Sequence, residues 1–500
     1  MSDTFLLGID VGSSSVKASL VDAASGKEIS SAVSPEAEMK MEAKKPGWAE
    51  QDPEMWWTHV KAAAEKIARE RPGEMKKAAA VGISYQMHGL VVLDDQGIVL
   101  RPSIIWCDSR AVEYGSRAFE ELGEEFCLSH YLNSPGNFTA AKLAWVKENE
   151  PELYKAVDSF CLPGDYIAYR MTGELNTTPS GLSEGILWDS KKGGVADDLL
   201  DFYGFSPDLV PDIVPNFSDQ GVVTSDAAEE LKVPAGTPVS YRAGDQPNNA
   251  LSLNVLEPGE LATTAGTSGV VYGIVDTPAY DPQSRVNPFV HVNHSEDDPR
   301  YGVLMCLNGT GILNRWLRET ICGPEGSQVS YEKMNDIAAG CAPGAEGLMV
   351  FPYGNGAERT LKNQDLGASL TNINFNLHGP SHLFRAGQEG IVYALNYGIG
   401  IMREMGMDIR TVKAGYANMF LSPLFREVFA TVTGASVELY STDGAQGAAR
   451  GAGIGAGIFE DYETAFRGLD LKAVVEPDKG SKDRYTELYG LWVRELENRV

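Results

Sequence analysis

Phe5-Leu6-Leu7-Gly8-Ile9-Asp10-Val11-Gly12-Ser13-Ser14-Ser15-Val16-Lys17-Ala18-Ser19-Leu20-Val21 is the stretch on which the reading of the whole chain turns. An extended apolar run, Phe5–Asp10, meets a turn of glycine and serines and returns as Val16–Val21. That pattern predicts a hairpin with a small-residue tip. The same shape comes back 254 residues later. Leu261–Ala265 leads into Gly266-Thr267-Ser268-Gly269 and on through Val270-Val271-Tyr272-Gly273-Ile274-Val275. Gly12-Ser13-Ser14 aligns with Gly266-Thr267-Ser268, and Val16, Leu20 and Val21 align with Val270, Ile274 and Val275. A repeat at about half the chain length predicts duplicated domains rather than a short-period solenoid.

One such hairpin carries little weight, because Gly and Ser dominate turns anyway. Two with matching flanks point to chemistry. Backbone N–H groups and hydroxyls in a tight Gly/Ser/Thr turn form a concavity for an anion without any side-chain charge. Two of these loops, one per half, could close on the phosphates of one nucleotide.

Composition bounds the rest. With 42 Lys plus Arg against 69 Asp plus Glu, the net charge of −27 repels phosphate backbones. No basic run offsets it, so a nucleic-acid binder is not expected. Small anions held locally by N–H groups are not excluded. The 500 residues exceed what a single core supports, about 250–300 residues, so two domains are expected. No apolar run reaches the ~18 residues of a membrane span, and the N-terminus lacks a basic leader, so neither membrane nor secretion is expected. Six scattered cysteines without a CxxC suit reduced thiols in the cytoplasm.

Strands alternate with helical patterns, an α/β class. Asp52-Pro53 reads as an N-cap and first helical residue, with Trp56, Val60, Ala63 and Ile67 on one face. Ser381–Met405 reads as a long helix burying Phe384, Ile391, Val392, Leu395, Ile399 and Met402. The turn-rich Val233–Thr237 suggests the boundary, dividing the chain into 1–237 and 238–500, with strand Val239–Ala243 opening the second half.

There is no GxxxxGK[ST], no strict GxGxxG and no HExxH. His378 and His382 are separated by Gly379-Pro380, which favours a loop over a metal pair. His291 and His294 are expected on the surface of a Pro/Asp-rich segment.

Several carboxylates occupy odd places. Asp10 ends an apolar strand, where it either caps its own turn or serves as a Mg²⁺ ligand beside the first loop. Asp245 lies at a strand–helix junction, as an N-cap or as a base facing a cleft. Gln86-Met87-His88-Gly89 and Trp106-Cys107-Asp108-Ser109-Arg110 close apolar strands, and ligands of α/β folds bind at strand ends.

In this order and spacing, these residues resemble the FGGY family of carbohydrate kinases. The resemblance rests on Gly8–Ser15, Gln86–Gly89, Trp106-x-Asp108-x-Arg110, Gly244-Asp245, Gly266–Gly269, Phe351-Pro352-Tyr353 with Glu358-Arg359-Thr360, and the glycine-rich run Asp443–Gly457. It implies duplicated actin/hexokinase-like (ribonuclease H-like) ATPase domains flanking an interdomain cleft. It implies ATP and Mg²⁺ as cofactors and a sugar as substrate. The Gln-Met-His-Gly element favours a ketopentose, D-xylulose foremost, over glycerol. By the same resemblance Asp245 would be the general base, and Met87, His88, Gln246 and Asp108 would lie at the sugar. Asp10 would organise Mg²⁺. Gly12, Ser13, Ser14, Gly266 and Thr267 would line the triphosphate, with Gly415, Ala417 and Asn418 on the adenosine side. That last turn departs from the family: the usual basic residue is absent from Ala414-Gly415-Tyr416-Ala417-Asn418, and about three extra residues precede Ser422. Gly444–Ala449 matches the family's other nucleotide-side turn, or is helix packing through small residues. A homodimer is a family-level expectation. Two other readings stay open: a kinase of another pentulose or a polyol, and a non-catalytic actin-like sensor of sugar or nucleotide.

Overall fold

A computed structural model describes residues 3–323 and 329–500. The opening stretch folds as the hairpin its pattern predicts: β1 (Phe5–Val11) pairs antiparallel with β2 (Val16–Asp22), closing at Val11↔Val16. β3 (Lys27–Ser34) continues the meander. The chain then forms helix α1 (Pro53–Glu70), capped by the Asp52 side chain on the Glu54 N–H. Its residues Trp56, Val60, Ala63 and Ile67 are all buried in one cluster with Leu7, Ile9 and Leu20. β4 (Ala78–Tyr85) returns parallel to β1. An insertion carrying helix α2 (Thr139–Asn149) separates it from β5 (Val239–Gly244), which leads directly into α3 (Asp245–Ser252).

β5 pairs in parallel with β4, with Arg242 opposite Ile83 and Gly244 opposite Tyr85. The first sheet therefore has the order β3-β2-β1-β4-β5. This corrects the division expected at 237/238. The strand read as opening the second half is the fifth strand of the first sheet, and the halves part after α3.

The second hairpin is β6 (Leu261–Ala265) with β7 (Gly269–Val275), closing at Ala265↔Gly269. β8 (Asn287–Val290) and β9 (Tyr301–Leu307) extend it antiparallel. Helix α4 (Gly311–Cys322) follows, and later α5 (Pro380–Glu404), which buries all six apolar residues expected of it. β10 (Thr411–Gly415) and β11 (Ser436–Ser441) then pair in parallel beside β6. After α6 (Gly444–Gly455), β12 (Asp470–Val475) closes the far edge. Stripped of edge strands β8 and β12, the order β9-β7-β6-β10-β11 repeats the first sheet strand for strand. The duplication is thus topological, with α3 and α6 as equivalent helices after the fifth strands.

These two helices pack on each other, and α6 lies across the first sheet rather than its own. Glycines in the strands make room for it. A β-carbon on Gly8 would sit 1.8 Å from the Ala445 carbonyl oxygen, and one on Gly82 2.0 Å from that of Ala448. Leu6, Ala80, Tyr241 and Ala243 meet Ala448, Ala449 and Ala452 in a core of their own. The small residues of Gly444–Ala449 therefore do serve close packing.

The structure overturns the surface expectation for His291. His291 is fully buried, not at the surface, because it hydrogen-bonds the buried Tyr272 hydroxyl at 3.0 Å. Burial lowers its pKa to about 3, so it is neutral. His294 is half-buried, its Nδ1 accepting from the Arg300 N–H. His378 lies in the loop before α5, and its Nδ1 and that of His382 each accept a nearby backbone N–H.

Candidate active site

The strand ends of the first sheet bring the odd carboxylates together. Asp10, paired across the sheet with Ser84 and Lys17, accepts a hydrogen bond from Ser84 Oγ at 2.7 Å. Lys17 turns away from it, to Asp443 Oδ2 at 2.5 Å. A β-carbon on Gly444 would lie 2.5 Å from Asp10 Oδ2, so the carboxylate rests against the first turn of α6. Burial, and then the Asp443 charge, raise the pKa of Asp10 above the ordinary value; Ser84 and Lys17 oppose the shift. Among the described residues no group of three His, Cys, Asp or Glu could hold a metal unaided. A carboxylate with one hydroxyl donor and no cation of its own fits a magnesium ion whose shell is completed by phosphate oxygens and water.

Asp245 opens α3. Burial, then the charge on Asp10, push its pKa up to about 7, against the hydrogen bonds of Gln246. Its neighbour Gly244 is packed against two more side chains. A β-carbon there would meet Glu184 Oε2 at 2.5 Å and Met87 Cγ at 2.6 Å. His88 is one residue further on, in the left-handed conformation at φ 61°. Its Nδ1 donates to the Glu184 carbonyl at 2.9 Å, leaving Nε2 as the acceptor. The ring packs edge-on to Phe138 and at a tilt to Phe289, one residue from each half of the chain. Burial lowers its pKa to about 3. The structure therefore gathers Met87, His88, Asp245 and Gln246 at one place.

Asp108 is placed differently. Its carboxylate is fully buried and taken up by Arg110, at 2.6 Å from Nη2, and by the Ala49 N–H at 2.6 Å. Arg110 in turn reaches Glu50 at 2.8 Å. This side chain anchors its loop.

The first loop is held in shape from below. The Gly12 N–H donates to Ser15 O at 3.0 Å, and Gln51 Nε2 donates to Ser13 O at 2.7 Å. Ser14 is exposed, and the half-exposed Trp106 stands over the loop with its indole N–H 3.4 Å from Ser13 Oγ. The second loop is fixed by α4, whose Gly311 N–H donates to Gly266 O at 2.8 Å and whose Ile312 N–H donates to Thr267 O at 3.2 Å. It is one residue shorter than the first. Cys306 ties it to the acidic centre. Burial pushes that thiol up to about 12, the charges of Glu358 and Asp245 act in the same sense, and a hydrogen bond with Ser268 opposes them.

Behind the second loop lies a cavity of about 730 Å³. Gly266, Thr267, Arg315, Tyr331 and Asn418 are among its walls. Asn418 Nδ2 would be 3.5 Å from a β-carbon on Gly266, so these two candidates face each other. Gly415 and Ala417 close the turn just before, with the Ala417 N–H donating to Gly415 O at 2.8 Å. The extra residues join Asn418 in a four-residue 3₁₀ turn, Asn418–Leu421, of which Asn418, Met419 and Leu421 line the same cavity.

Sequence reasoning missed Glu184, the Asp108–Arg110–Glu50 cluster, Cys306 and Lys142, whose Nζ donates to the His88 carbonyl. Only the glycines at 8, 82 and 244 signalled close approach, and a single sequence does not say of what.

Two halves with one strand order, a paired helix core between them, a hydroxyl-rich loop in each and a partly buried acid at the head of α3 define a carbohydrate-kinase architecture. Family models agree: the N-terminal domain of the FGGY family of carbohydrate kinases matches residues 5–252, and the C-terminal domain matches 261–458. The chain belongs to this family. It is 29% identical over 497 residues to a xylulose kinase of Staphylococcus epidermidis, covering 97% of this chain and 95% of that one. It is 29% identical to the xylulose kinase of Bacillus subtilis, covering 98% and 96%. The solved xylulose kinase of Rhodospirillum rubrum superposes with a TM-score of 0.88 at 26% identity, covering 99% and 98%.

Proposed function

We propose that the protein transfers the γ-phosphoryl group of ATP to the terminal hydroxyl of D-xylulose, giving D-xylulose 5-phosphate. The observation that carries this is Asp245, a carboxyl raised to about 7, with Met87 packed against its neighbour Gly244 on one side and the charge of Asp10 acting on it from the other. A general base works best with a pKa near the operating pH. Asp245 takes the proton of the attacking hydroxyl, and Gln246 orients its carboxylate. His88 offers Nε2 as an acceptor to a sugar hydroxyl, with Met87 as apolar wall. The backbone N–H groups and hydroxyls of Gly12, Ser13, Ser14, Gly266 and Thr267 receive phosphate oxygens. Asp10 holds Mg²⁺, which offsets phosphate charge when bound. Gly415, Ala417 and Asn418 border the adenosine, where a 3₁₀ turn replaces the missing basic residue. Names of relatives at 29% identity over nearly the full length support D-xylulose.

Asp108, spent on Arg110, acts on the sugar only through its loop. Six unpaired cysteines suit a cytoplasmic setting, and no helix among the described residues is long and apolar enough to cross a membrane. The test is ADP release measured with a panel of ketoses and polyols. D-xylulose is expected to give the highest kcat/KM. Preference for another pentulose or a polyol would transfer the assignment to that substrate, and absence of sugar-dependent ADP would favour a sensor.

A further inference from the structure

Lys142, on the first turn of α2, has no part in the roles above, yet it is fully buried. Its Nζ donates to the carbonyl oxygen of His88 at 2.7 Å. It makes no ion pair within 4.0 Å among the described residues. The groups whose charges act on it are Asp108, Cys107 and Glu184, which favour its charged form, and Arg110, which opposes it. Burial outweighs them and lowers the ammonium to about 7.

The carbonyl it holds belongs to a residue with φ 61°, a left-handed conformation that a side chain other than glycine keeps only where its surroundings impose it. The start of α2 grips the next residue as well, Thr139 Oγ1 donating to Gly89 O at 3.3 Å. On its other side, the His88 ring is fixed by the Glu184 carbonyl. His88 is thus pinned at both ends, by its ring nitrogen and by its backbone oxygen. An amine drawn out of water is a costly donor for a single carbonyl, and a neutral side chain would fill the space without that cost.

We infer that Lys142 is a positioning residue for sugar specificity: by holding the His88 carbonyl it fixes the turn that presents the imidazole to the sugar. This rests on the reading of His88 as a sugar contact.

The experiment compares wild type, Lys142→Met, Lys142→Gln, His88→Ala and the Lys142→Met/His88→Ala double variant. KM for sugar and for ATP is measured with whichever sugar the wild type accepts, and sugar affinity is measured separately by quenching of tryptophan fluorescence. Lys142→Met keeps the stem and loses the donor. It is expected to raise sugar KM and Kd by about tenfold or more, with KM for ATP changed by less than about twofold. Lys142→Gln keeps a donor and is expected to fall between; it carries the test if the Met variant does not fold. In the His88→Ala background, loss of Lys142 is expected to add less than about twofold, because a residue acting through His88 has nothing left to position. Unchanged sugar affinity in the single variants would overturn the inference, as would full additivity in the double variant. A wild type that binds sugar and turns it over while these variants match it refutes Lys142 alone. A wild type that neither binds nor turns over any sugar refutes the proposed function and this inference together.

Discussion

Asp245→Asn separates the role of this carboxyl as a base from its cost to the fold. In the proposed role of base it would contribute about 10²–10⁴-fold, so turnover should drop by that order while sugar KM moves little. The stability effect runs the other way. Folding raises the carboxyl from an ordinary 3.8 to about 7. A carboxyl raised in the folded state favours folding only while neutral, and stability is lost as pH climbs from the lower value through the higher one. The neutral amide escapes that loss. At about 1.4 kcal/mol per tenfold, the variant should be more stable than wild type by about 4 kcal/mol at pH 8 and by about 2 kcal/mol at pH 5. Coupled ADP release gives the first quantity, and thermal melting at the two pH values gives the second. Wild-type activity should itself fall on an acid limb as Asp245 protonates below about pH 7. Near wild-type turnover in the folded variant would remove Asp245 from the base role. A stability difference that did not widen from pH 5 to pH 8 would refute the raised pKa and with it the electrostatic argument for the site.

Gly444→Ala places a β-carbon 2.5 Å from Asp10 Oδ2 at a helix start where alanine is otherwise welcome, so turnover should fall by about tenfold or more with little change in melting temperature. Gly8→Ala drives a β-carbon to 1.8 Å from the Ala445 backbone oxygen; overpacking of about 3 kcal/mol should lower the melting temperature and loosen α6 from the first sheet, read by amide exchange. Asp108→Asn breaks a buried pair with Arg110 at 2.6 Å, which should cost about 3–5 kcal/mol in melting experiments. A large rise in sugar KM without loss of stability would instead make Asp108 a direct sugar contact.

The hairpins were legible because their cues are local: an extended apolar run on each arm and a small-residue tip between them, although the second tip is one residue shorter than its pattern suggests, Gly269 already pairing with Ala265. The capped helix after Asp52 and the apolar stripe of α5 were legible for the same reason. The division of the chain was not. Val239–Gly244 reads as any buried strand, and only pairing with β4, over 150 residues earlier, assigns it to the first sheet. Nor could the glycines at 8 and 82 announce that the helix crossing them lies more than 350 residues away.

The site follows the same logic. The duplication puts an aspartate at the start of each helix after the fifth strand, Asp245 at α3 and Asp443 before α6. Their sequence contexts, Gly-Asp-Gln and Thr-Asp-Gly, do not rank them. Their partners do. Asp443 caps α6 through the Gln446 N–H at 3.1 Å and pairs with Lys17 at 2.5 Å, an ion pair that joins the two halves. Asp245 pairs with no cation among the described residues and feels the charge of Asp10, which with burial raises it to about 7. The equivalent position thus serves as clamp in one half and, in the proposed mechanism, as base in the other. The difference comes from where Lys17 points: a lysine redirected from Asp443 to Asp10 would relieve the charge that helps hold Asp245 near pH 7.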